Sequence, residues 1–130
     1  MTIPLVRVDG DFAVARPIPW DEEDSLRAHV DRVIDSLTAQ SAVVEVDARV
    51  NLDEGNVHFS VVMAGEDEEE ADRSAREAIG ASIRECEGRH FQLLPAEEEA
   101  ELSRNVPARS GLLTPLWRLR KLSVERLTTG

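Results

Sequence analysis

The chain has 130 residues, 42% hydrophobic and 32% charged, with 15 Lys+Arg against 26 Asp+Glu for a formal net charge of −11. This length and composition predict one folded domain with its own core and exclude a disordered chain. The single cysteine, Cys86, excludes an internal disulfide, and no apolar run approaches the ~18 residues that a membrane span requires.

In chain order, "LVRVDGDFAVARPIP" reads as extended, with Val6 and Val8 and then Phe12 and Val14 in alternation. "DGD" is a turn signal, so the stretch is either a small hairpin or a single strand beginning at "FAVARPI", ended by Pro17 and Pro19. "DEEDSLRAHVDRVIDSLTAQ" is an amphipathic helix: Leu26, Val30, Val33, Ile34 and Leu37 form one stripe, and Asp21 suits the N-cap. In "SAVVEVDARVNLDEGNVHFSVVMAG", Val44, Val46, Ala48 and Val50 alternate with Glu45, Asp47 and Arg49. Val57, Phe59, Val61 and Met63 then share a face opposite His58 and Ser60, with Gly55 in the turn: a β-hairpin. "EDEEEADRSAREAIGASIRECEG" is a second helix with an Ala-rich stripe and Gly88 as its C-terminal signal. "RHFQLLP" is a short last strand. The order β-α-β-β-α-β predicts a ferredoxin-like α+β fold, two helices on one face of a four-stranded antiparallel sheet.

This domain is expected over residues 1–95. An acidic turn and linker, "AEEEAELSRNVPARSG", follow over 96–111, and an amphipathic basic tail over 112–130. Six of the 15 basic residues but one of the 26 acids lie in 103–130, so the linker end and tail together are +5 and the remainder −16. In "GLLTPLWRLRKLSVERL", helical periodicity places Leu116, Leu119 and Leu127 on one face with Trp117 at its flank. Pro115 then suits the first turn and Thr114 the cap. Strand periodicity alternates Trp117 and Leu119 with Arg118 and Arg120, then slips at Lys121–Leu122. The helix is favoured over a bulged strand. Leu116, Trp117, Arg118, Leu119, Arg120 and Lys121 are the candidate partner-binding residues, with Trp117 as anchor and the cations on the rim.

Chemistry-bearing motifs are sparse. No nucleophile elbow, phosphate-cradling loop or dinucleotide fingerprint occurs, and no catalytic residue or cofactor is assigned. Glu87 and His90 have the spacing of a carboxylate-bridged metal pair, but Gly88 falls between them, and no metal site is expected. His29 reads as a helix histidine at the edge of the core. Acidic neighbours of Cys86 raise a thiol's pKa, so it reads as packing rather than nucleophile. Arg49, His58 and Ser60 share the polar face of the hairpin and mark a possible ligand pocket. The topology is also that of RNA-recognition domains, but the single aromatic of the corresponding stretch "EGNVHFSVVM" lies in phase with the core face and the acidic body repels phosphate, so no nucleic-acid partner is expected.

These residues support a non-catalytic interaction or adaptor module, expected to be a homodimer, whose basic tail docks on an acidic surface of itself or a partner. The alternatives are a small-molecule-binding domain or minor enzyme with its pocket on the open sheet face, and an acidic mimic or chaperone-like binder of a basic partner. Arg7 interrupts the apolar start "MTIPLVRVDG", which does not read as a signal peptide, so cytoplasmic residence is the expectation.

Overall fold

The computed structural model describes residues 4–15, 23–51, 53–86, 88–104 and 115–127. The elements in order are β1 (Leu5–Ala15), α1 (Glu23–Thr38), β2 (Val43–Asn51), β3 (Asn56–Ala64), α2 (Glu68–Glu85), β4 (Arg89–Phe91), α3 (Ala96–Arg104) and β5 (Leu116–Arg126). The strands form one sheet in the order β2-β3-β1-β5-β4. The first four are antiparallel to their neighbours, and β4 runs parallel to β5. This is the ferredoxin-like α+β fold with one strand added at an edge.

Two expectations are revised. First, β1 is one continuous strand rather than a hairpin or a half-strand. Val6, Val8, Phe12 and Val14 are all buried and keep one phase straight through Gly10. Gly10 therefore holds a core-facing position, where a Cβ would stand 3.1 Å from the Phe12 ring. The glycine makes room for an aromatic neighbour and is not a turn residue. Gly55 does turn the chain: it has φ 69° and closes the β2–β3 hairpin, its carbonyl accepting from Val14 N at 2.7 Å.

Second, residues 116–126 form a strand and not a helix. Lys121 pairs with Asp11 and Leu119 with Phe12, which leaves Arg120 as one extra residue. That bulge is the phase slip seen in the sequence. It lets Trp117 and Leu119 below it, and Leu122 and Val124 above it, all face the core. Without β5, β1 would be a sheet edge with a row of unpaired backbone groups. The three-residue "RHF" strand, placed last by sequence, sits outside β5, and Gln92 at φ 63° ends it. The segment set apart as a tail thus supplies the fourth strand of the ferredoxin-like sheet.

One face of the sheet is covered by α1 and α2, and the core lies between. Val30, Val33 and Leu37 of α1 and Ala71, Ala75, Ala78, Ile79 and Ile83 of α2 are buried there. The alanines keep α2 close to the strands. Asp67 caps α2 by accepting from Glu69 N at 3.0 Å, and Gly88 N closes the far end on the Ile83 carbonyl at 2.8 Å. At the centre, Trp117 stacks on Phe59 with ring centroids 5.7 Å apart, and Phe12 meets both rings edge-on. The expected acidic turn after Pro95 is α3. Its Glu99 accepts from Leu93 N and Leu94 N and holds His90 Nδ1 at 2.8 Å. The expected break at Pro17–Pro19, the Asp21 cap, Glu87, "VPARSG" and the Thr114 cap lie outside the described residues.

Candidate functional site on the open sheet face

Strand register arranges the uncovered face in rows running β2-β3-β1-β5. From the α2 end toward the hairpin turn they are Glu45–Val62–Arg7–Glu125, Asp47–Ser60–Asp9–Ser123, Arg49–His58–Asp11–Lys121 and Asn51–Asn56–Ala13–Arg118. Arg120 rises at the bulge between the last two rows. Charge is sorted along the strands. The first two rows hold Glu45, Asp47, Asp9 and Glu125 against Arg7 alone. The last two, with Arg120, hold Arg49, Arg118, Arg120 and Lys121 against Asp11 alone.

His58 stands at the boundary. Its Nδ1 lies 2.5 Å from Asp11 Oδ1 and its Nε2 3.4 Å from Asp9 Oδ1. The carboxylates take opposite ring nitrogens, so the three side chains do not converge on a point where one metal ion would sit. What the pair does is fix the ring between β1 and β3. Two depressions meet at this ring. One, of about 540 Å³, lies toward the turn and includes Arg49, Asn56, Arg120 and Lys121 in its lining; the other, of about 330 Å³, lies toward the acidic rows and includes Asp9, Asp47, Arg49 and Ser60.

Arg49 and His58 face each other directly and border both depressions, with Ser60 on the second alone. Among the tail candidates, Trp117 and Leu119 are buried in this chain's own core and Leu116 is half-buried. Arg118, Arg120 and Lys121 are exposed on the open face. Sequence reasoning missed Asp9, Asp11, Glu54 and Asn56. The first two belong to the "DGD" turn signal, although their alternation with Val8 and Phe12 puts them on the polar face of a strand.

The other titratable candidates serve the fold. Trp117 Nε1 donates to His29 Nε2 at 3.0 Å. Since an indole only donates, His29 must be neutral with its proton on Nδ1. Burial, aided by the Arg32 charge, lowers its pKa to about 4, against a hydrogen bond with the Cys86 backbone. Burial pushes the Cys86 thiol up; Arg32 opposes this, while Glu85 and Asp35 add to it. His90 is buried against Gly80 and Glu99, away from both depressions.

No protein-family model and no curated protein sequence matches this chain. Solved structures with similar folds include the structural-genomics protein YJCS, at 6% identity and TM-score 0.48 over 95% of this chain and 99% of that one. Rv0793 from Mycobacterium tuberculosis is 19% identical at TM-score 0.38, over 97% and 95% of the two chains. A Chloroflexus aurantiacus J-10-fl protein proposed as an antibiotic biosynthesis monooxygenase is 12% identical at 0.40, again over 97% and 95%. All three scores lie below 0.5, so the functional reading rests on the geometry described above.

Proposed function

We propose that the chain is a small-molecule-binding domain whose site is the open face of the sheet around His58. The observation that carries this reading is the placing of that ring, gripped by Asp11, approached by Asp9, and forming the wall shared by two adjoining depressions. A recognition group is most useful where its orientation is fixed beforehand, since little is then lost on binding. The larger depression falls within the roughly 300–1,000 Å³ of ordinary small-molecule sites. The test is an amide NMR survey of the full chain against a fragment set of anionic, neutral and cationic members. Shifts should gather at Asp11, Arg49, Asn56, His58 and Lys121, and His58→Ala should abolish them. Shifts confined to other surfaces, or none, would overturn the reading.

Self-association is a second reading, favoured by the division of charge on this face. A second copy turned end for end would lay acidic rows over basic ones, giving an isologous, electrostatically matched contact. Solution mass by light scattering decides it. A dimer that loosens as salt rises is expected, and a monomer at every salt concentration removes the reading. The adaptor reading ranks below both, because its intended anchor, Trp117, packs inside this chain.

A further inference from the structure

We propose that the ligand of the larger depression carries a carboxylate or phosphate group, held between Arg49, Arg120 and Lys121; this rests on the open-face reading above. The lining of the depression holds three cations, Arg49, Arg120 and Lys121, against two acids, Asp11 and Glu54. Asp11 is taken by His58 Nδ1 at 2.5 Å, and Glu54 Oε2 accepts from Asn56 Nδ2 at 3.2 Å. Among the described residues, Arg7, Arg76 and Arg126 pair with Glu125, Asp72 and Glu68; Arg49, Arg120 and Lys121 form no ion pair, a state they share with Arg27, Arg32, Arg73, Arg84, Arg89 and Arg118, and what sets the three apart is that they line one depression. Arg120 Nη1 donates to Asn56 Oδ1 at 3.3 Å, a neutral partner that leaves its charge uncompensated. A chain with this surplus of acid thus keeps a group of free cations at one built place.

Geometry limits the size of the ligand. Arg49 and Lys121 sit on strands three spacings apart, about 14 Å between backbones. Both line the same depression, with His58 and Asp11 between them in the row, a span suited to a group of a few heavy atoms. A fork-shaped guanidinium from β2, with a second guanidinium and a point-like ammonium from adjacent positions of β5, suits a planar carboxylate or a tetrahedral phosphate. A long polyanion would have to pass the acidic rows immediately above. A small anion need not.

Lys121 is the chain's one lysine, which supplies a reporter inside the site. Reductive methylation with ¹³C-formaldehyde keeps the charge and gives one side-chain signal, with the α-amine signal as an internal control for ionic strength. Titration of the full chain with sodium phosphate, and separately with citrate, distinguishes the two anion chemistries. The Lys121 signal should shift saturably with at least one of them, and not with sodium chloride at matched ionic strength. Arg49→Gln and Arg120→Gln should each weaken that binding about tenfold, while Arg73→Gln, on the helical side, leaves it unchanged. A shift that never saturates, or that chloride reproduces, overturns the inference. So does a fragment survey in which only neutral or cationic compounds move the open-face amides, and that result would leave the binding-domain reading intact.

Discussion

The hydrogen bond between Trp117 and His29 ties the last strand to the first helix through a proton that must not arrive. Protonated His29 would face the indole N–H with an N–H of its own. The folded-state pKa of about 4 lies below the ordinary 6.5, so the unfolded chain binds the proton more readily. The resulting stability is fully present above about pH 6.5 and is lost as pH falls toward 4, on the order of 3 kcal/mol at most. Urea unfolding of wild type and His29→Gln across that interval checks this: Gln retains an acceptor without a titration, so the gap between the two should close toward acid. Gly80 makes a second case. A mid-helix glycine is normally improved by alanine, yet here a Cβ would stand 3.2 Å from His90 Nε2 and 3.4 Å from the buried Leu93. His90 is held by Glu99 and has no room to give. Gly80→Ala is therefore expected to destabilise by about 1–2 kcal/mol, read from the same urea curves.

At the scale of elements, β5 decides whether the rest holds. Its pairing with β1 runs from Val6–Arg126 to Ala15–Leu116, and it places the largest fully buried side chain among the described residues, Trp117. Trp117→Ala is expected to cost about 3–5 kcal/mol, and a chain ending at Asn105 should show no cooperative thermal transition by circular dichroism. Arg126 marks the opposite extreme. It reaches the Glu66 carbonyl at 3.0 Å and the Glu68 carboxylate at 3.7 Å, but both partners are exposed; Arg126→Ala should change stability by less than about 1 kcal/mol. The helices and the hairpin were legible because each carries a full period of apolar residues over two or more turns or pleats. β5 was harder because one inserted residue, Arg120, breaks the alternation that identifies a strand, and a broken period of two resembles a helix. β1 is hard to read for the reverse reason: its alternation is intact, but a glycine flanked by aspartates imitates a turn. That misreading hid Asp9 and Asp11, while Arg49, His58 and Ser60 were visible on an unambiguous hairpin.

For the molecule as a whole, the net charge conceals a division of labour. The acids crowd the helix starts and one half of the open face, and Arg118, Arg120 and Lys121 collect on the other half. Raising ionic strength should therefore do two things at once: relieve self-repulsion across the acidic surface and screen the basic half of the face. Thermal stability is expected to rise with salt while binding of a charged probe weakens, and parallel melting and titration series would separate the effects. If affinity and stability instead moved together, the site and the fold would share their electrostatics, contrary to the free cations described above.

The sheet order also has a meaning in time. β1 is made early and lies at the middle of the sheet, but the strand that completes its second edge is the last described element to be made. Throughout synthesis of the intervening helices and hairpin, one edge of β1 has no partner from its own chain. A nascent chain in that state can pair only with something else, a chaperone or another nascent chain, and long-range closure of this kind is slow. Expression yield should thus depend less on the stability of the finished domain than on how quickly β5 follows α3 out of the ribosome.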